Sequence, residues 1–176
     1  MSKHSNDHII EMSKSFALES IQGVNLFHYR LLNDLPEDKA FGDKIFRDDI
    51  DFQCFLNQCR QLERAITMGY NSWIESEEKQ NLKKLIEKFK EETPYLSPLR
   101  NTYEHFDEYL LQRGRDKAID TGGMRVYSIE YEKGKTFKKH WLSFEVDIQK
   151  TKKSADEFYM NFLELYKDYL SNHVNV

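Results

Sequence analysis

The sequence predicts a mainly α protein: a four-helix bundle followed by a β-hairpin and a C-terminal helix. Three observations carry that expectation. Apolar residues recur at three- and four-residue steps over most of the chain, which is the helical period. Between residues 124 and 148 the period switches to two. Only 7 Gly and 3 Pro supply turn signals, too few for a many-stranded sandwich or barrel. The 176 residues, 39% hydrophobic, fit one domain over 1–176. Within it, 8–114 reads as the bundle, with the hairpin at 124–148 and the terminal helix at 154–171 as appended elements.

Charge and composition narrow the function classes. Lys and Arg number 26 against 30 Asp and Glu, for a net charge of −4, and 14% of residues are aromatic. Charges so mixed in sign, with so many rings, argue against a disordered chain. The mild acidity argues against a general nucleic-acid binder. No run of about 18 apolar residues is present, so no membrane span is expected. The N-terminal MSKHSNDHII lacks the apolar core of a secretory signal. The expected setting is therefore the cytoplasm. Cys54 and Cys59 form no CxxC pair, and on a helix they diverge by roughly 140°, which disfavours a bridge between them.

The first helix runs from about Ile9 to Asn33, with Ile9, Met12, Phe16, Leu18, Ile21, Val24, Phe27, Leu31 and Leu32 as apolar positions. Asn33-Asp34-Leu35-Pro36 reads as its stop. An acidic connection follows, in which Asp48, Asp49 and Asp51 are expected to be solvated. The second helix spans Ile50 to Met68 on the stripe Phe52, Phe55, Leu56, Cys59, Leu62, Ala65 and Ile66. Gly69 and Asn71 are suited to ending it. Ser76 with Glu77 and Glu78 caps a third helix carrying Leu82, Leu85, Ile86 and Phe89, and Thr93-Pro94 closes it. Ser97-Pro98 opens a fourth, with Leu99, Tyr103, Phe106 and Leu110 as a narrow packing seam and Gly114 as the stop. Met124–Glu132 and His140–Ile148 alternate as strands about a turn at Glu132-Lys133-Gly134-Lys135. Helical spacing resumes through Phe158, Phe162, Leu165, Tyr166 and Tyr169.

Common metal and nucleotide signatures are missing. No His has a Glu three residues before it, as a di-iron bundle requires. The chain has no HExxH, no Cys/His zinc spacing, no Walker loop and no GxGxxG. No metal and no cofactor is expected. His28, amid Phe27, Tyr29 and Leu31, reads as a partly buried structural side chain. His140 and His173 have no obvious partner.

The stretch Leu99-Arg100-Asn101-Thr102-Tyr103-Glu104-His105-Phe106-Asp107-Glu108 is the richest in chemistry. At 100° per residue from Leu99, the seam falls between about −20° and +40°, while Arg100, Glu104 and Glu108 fall near +100°, +140° and 180°. Asn101 and His105 lie beyond Glu108, away from the seam. Imidazole and guanidinium together suit RNA cleavage without metal. The 2′-hydroxyl is the nucleophile, so a proton acceptor near neutral pH and a cation for the phosphate suffice. Arginine offers a fork matched to phosphate oxygens and counters charge growing in the transition state. Asn101 can orient the imidazole, and Glu104 and Glu108 can hold Arg100 or His105.

Arg100-Asn101-Thr102-Tyr103-Glu104-His105 resembles the RxxxxH motif of the HEPN superfamily of helical-bundle proteins, with Asn101 matching the polar residue common after the Arg. The resemblance covers the fourth helix by motif and the preceding three by order and length. It implies Arg100 and His105 as a catalytic pair with Asn101 assisting. It also implies a homodimer that brings two motifs into one cleft. Many members are metal-independent endoribonucleases of toxin–antitoxin or antiphage systems, with an antitoxin-like protein as partner; others are inactive RNA-binding or interaction modules. The hairpin and final helix are not demanded by the family pattern. Lys133, Lys135, Lys138 and Lys139, with Trp141 nearby, suggest that the hairpin holds single-stranded RNA. Edge-strand lysines that prevent aggregation are the alternative. Two classes thus remain open from sequence: a ribonuclease, and a non-catalytic helical module that binds protein or RNA.

Overall fold

The computed structural model describes the backbone over residues 3–33, 44–98, 127–132, 136–141 and 144–173, and side chains over 6–33, 50–98 and 145–173. Helix α1 (Lys3–Leu32) is followed by α2 (Lys44–Ser72) and α3 (Glu77–Glu92). Three strands, β1 (Tyr127–Glu132), β2 (Thr136–Trp141) and β3 (Phe144–Asp147), precede the last helix, α4 (Ile148–His173). The described chain is mainly helical. Residues 96–98 also have helical backbone, and the rest of the helix expected over 97–114 lies outside the described residues.

The long pair α1 and α2 forms the floor of the core. Ala17, Ile21, Val24 and Leu31 of α1 and the whole predicted stripe of α2 are buried together. Phe16, Leu18 and Leu32, also counted as apolar positions of α1, are instead exposed by more than two-fifths. That helix carries apolar residues around more of its circumference than its neighbours cover. The two helices come close where Gly69 meets Ser13: a Cβ at Gly69 would stand 2.5 Å from the Ser13 Oγ. Gly69 therefore permits contact rather than ending the helix, and α2 runs on to Ser72.

Asp51 is not solvated. Only 1% exposed, it accepts from Arg30 Nε on both carboxylate oxygens, at 2.9 and 3.0 Å. The pair ties the C-terminal end of α1 to the first half of α2. Arg30 keeps 35% of its side chain exposed, Asp51 only 2%, so the two are not equivalent. An orphaned guanidinium can turn to water, whereas an orphaned carboxylate here cannot. Arg30→Ala is accordingly expected to cost about 3 kcal/mol and Asp51→Ala clearly less, an order that urea denaturation of the two variants measures directly.

Local signals place α3. Ser76 adopts extended backbone and its side chain accepts from Lys79 N–H at 3.2 Å, satisfying one of the first-turn donors. Leu82, Ile86 and Phe89 form its buried face, and Thr93 closes the helix by donating N–H to the Phe89 carbonyl.

The C-terminal helix, expected beside the bundle as an appended element, is one of its packing helices. Phe158, Phe162, Tyr166 and Tyr169 belong to the same buried cluster as α1, α2 and α3. Phe158 stacks on Phe89 with ring centroids 4.3 Å apart, and Tyr169 stacks on Trp73 at the same spacing. The Tyr169 hydroxyl accepts from Ile74 N–H at 3.1 Å. At its far end Asn172 and His173 meet Glu78 at 2.6 and 3.3 Å, so His173 has the partner that its tail position concealed. Asp147 caps the start of α4, accepting from Lys150 N–H at 2.9 Å. Thr151 donates to the Asp147 carbonyl, which leaves Tyr95 as donor to Thr151. Burial above all pushes the Tyr95 phenol up to about 12.

The strand region differs from the expected two-strand hairpin. β1 pairs antiparallel with β2, and β2 with β3. The run expected as one strand from His140 to Ile148 is divided: β2 begins at Thr136, β3 ends at Asp147, and Ile148 already belongs to α4.

Candidate functional site

A hollow of about 300 Å³ lies where α2, the end of α3 and the following turn converge, lined by Arg60, Glu63, Lys90, Thr93, Leu96 and Ser97 among others. Its construction starts from a buried charge. Glu63 follows Leu62 on the inward side of α2 and is only 4% exposed. A carboxylate so placed requires compensation, and two cations provide it. Arg60, one turn earlier, hydrogen-bonds one Glu63 oxygen. Lys90, from the last turn of α3, stands 3.4 Å from the other. The carboxylate therefore fixes two cationic groups from two helices at one mouth. The turn that completes the wall is held by its own backbone: Thr93 donates its hydroxyl to the Phe89 carbonyl at 2.6 Å, and Leu96 N–H donates to the Thr93 carbonyl at 3.1 Å.

The same three charged residues also line a wide groove of about 1090 Å³, to which α1 contributes Met12 and Phe16 and α2 contributes Arg64 and Met68. Neither hollow was anticipated. A carboxylate beside an apolar stripe was visible at Glu63, but its link to Lys90 depends on how α3 folds back over α2.

The predicted catalytic residues Arg100 and His105, with Asn101, Glu104 and Glu108, lie outside the described residues, as do Lys133 and Lys135. Lys138, Lys139 and Trp141 are on β2. The register puts Lys138 opposite Glu130 on one side and Asp147 on the other. Lys139 is in register with Ile129 and Val146, and Trp141 with Tyr127 and Phe144. Val146 is fully buried.

Other titratable groups serve the structure. Cys59 is buried and its thiol is pushed up chiefly by that burial. The Tyr166 phenol is raised by burial first and then by its hydrogen bond to Glu11. Cys54 and Cys59 are not joined by a disulfide. Among the described residues no three His, Cys, Asp or Glu side chains gather as a set for a metal ion, and no helix is long and apolar enough to cross a membrane. Comparisons with protein-family models, with curated proteins and with solved structures return no match.

Proposed function

We propose that this chain is a HEPN-like, metal-independent endoribonuclease of a toxin–antitoxin or antiphage type, acting as a cytoplasmic homodimer. Its fourth bundle helix, over 97–114, presents Arg100 and His105 to the RNA, with Asn101, Glu104 and Glu108 in support. The hairpin lysines add phosphate contacts. The observation that carries this reading is the position of the hollow. Ser97 lines it beside Arg60 and Lys90, and Arg100 follows three residues later, within about 11 Å along even a fully extended chain. Arg60 and Lys90, both held by Glu63, would bring positive charge to the part of the chain that leads into the motif.

On this reading His105 accepts the proton of the 2′-hydroxyl, whose oxygen attacks the adjacent phosphorus and expels the 5′-oxygen, which takes a proton from water. Arg100 counters the charge that grows on the phosphoryl oxygens. The products are a 2′,3′-cyclic phosphate and a 5′-hydroxyl end. Incubation of the purified chain with single-stranded RNA in excess EDTA is therefore expected to give cleavage with cyclic phosphate ends. Products with 5′-phosphate ends, or cleavage that EDTA abolishes, would overturn the assignment.

A second reading, a non-catalytic interaction module, draws on α1, where Phe16, Leu18, Leu26, Tyr29 and Leu32 are all exposed by more than two-fifths. Apolar side chains in that number suit a protein partner. Assembly that depends on these residues, in a chain that leaves RNA intact, is the result that would favour it.

A further inference from the structure

The wide groove that α1 and α2 share is built from two stripes at helical spacing. Ile9, Met12 and Phe16 line it from α1, and Gln61, Ala65 and Met68 from α2. A Cβ at Gly69 would stand 2.5 Å from the Ser13 Oγ, and one at Gly23 would stand 2.6 Å from the Gln58 side chain. Position 13 thus meets 69 and position 23 meets 58, so the two helices run antiparallel and close together. Helices paired in this way leave a trough between their side-chain rows into which a third helix can pack. The lining extends from Ile9 to Ser20 on one wall and from Gln58 to Ser72 on the other. At 1.5 Å per residue these walls are about 17 and 21 Å long, the span of a helix of about 11–14 residues.

Charge selects among the possible occupants. Three cations, Arg60, Arg64 and Lys90, line the groove with two carboxylates, Glu19 and Glu63, in a chain whose net charge is −4. Glu63 is already engaged by Arg60 and Lys90. Arg64 is exposed and has no ion-pair partner among the described residues. Phe16 is 43% exposed, and Met12 and Met68 are partly exposed beside it. The groove therefore offers uncovered apolar surface together with a cation still to be paired.

We propose that this groove is a docking site for an acidic amphipathic helix of a protein partner. The apolar stripe of that helix covers Met12, Phe16 and Met68, and carboxylates on its flank pair with Arg64 and Lys90. Single-stranded nucleic acid suits the groove less well. Ile9, Met12, Ala65 and Met68 give phosphates no partner, and Phe16 is the one aromatic ring among the lining residues. The proposal stands apart from the ribonuclease assignment, in whose chemistry neither Arg64 nor Phe16 takes part.

The test uses the full chain and a displayed library of helices of about 14 residues, with Leu, Ile, Met or Phe on one stripe and Glu or Lys free at the flanking positions. Selection is expected to enrich Glu on at least one flank. The enriched peptide is expected to lose at least about 10-fold in affinity against Arg64→Glu and against Phe16→Ser, and to weaken as salt rises. It is expected to bind Leu26→Ser, altered outside the groove, as it binds the wild type. Amide NMR shifts on its addition are expected at Met12, Phe16, Ala65 and Met68. Enrichment of Lys, no enrichment, shifts confined to other residues, or full affinity for both groove variants would overturn the proposal. Binding of oligouridine that Arg64→Glu abolishes, with no peptide enriched, would overturn it in favour of nucleic acid.

Discussion

Arg100→Ala and His105→Ala are each expected to lower RNA cleavage by at least about 100-fold, with the urea midpoint shifted by no more than about 0.5 kcal/mol equivalent. On the proposed mechanism, loss of the imidazole removes the proton acceptor from a reaction whose nucleophile, a ribose hydroxyl, is almost wholly protonated at neutral pH. General-base assistance contributes about 10²–10⁴ in such a step. Loss of the guanidinium removes charge compensation where it is most needed, on oxygens that gain charge in the transition state. Arg100→Lys keeps the charge but not the planar fork, so a partial defect is expected. In His105→Ala the pH–rate profile is also expected to lose the limb that a histidine places near 6.5, with partial rescue by added imidazole. The two losses act on one step, so the double variant is expected to be little worse than the more impaired single one. Cleavage that survives both substitutions would remove these residues from the chemistry.

How far the sequence reached depended on the range of the interaction concerned. Helix α3 was legible because Ser76, Thr93 and Pro94 act within a few residues of themselves. The α2 stripe was legible because period alone selects Phe52, Phe55, Cys59, Leu62 and Ile66, all of them fully buried. Asp51 was misread because the group that holds it, Arg30, is 21 residues earlier on another helix. Gly69 carries the usual sign of a helix end, yet its role is set by Ser13 across the interface. The boundary between β2 and β3 was hidden because only Leu142 and Ser143 separate Trp141 from Phe144, with no Gly, Pro, Asn or Asp to mark a turn. The same range limit governs the candidate site. The Arg100–His105 spacing is a pattern within six consecutive residues and can be read directly, whereas the Arg60–Glu63–Lys90 cluster exists only once two helices meet.

Phe158→Ala is expected to destabilise the whole protein by about 3–5 kcal/mol, a large share of the 5–15 kcal/mol typical of a domain. The ring is 2% exposed and lies flat on Phe89, at 6° between planes. Truncation removes the apolar contact and leaves a cavity between α3 and α4. An appended helix would behave differently. Its loosening would leave α1, α2 and α3 folded, and unfolding followed by far-UV circular dichroism would show two stages. With Phe158, Phe162, Tyr166 and Tyr169 in the same cluster as Leu62 and Leu82, one cooperative transition at a lower urea midpoint is expected instead. With Trp141 replaced by Phe (Trp141→Phe), tryptophan fluorescence is expected to follow the same curve, because Trp73 is buried against α4. Loss of the Trp73 signal ahead of the helical signal would mean that α4 leaves first and that the core stands without it.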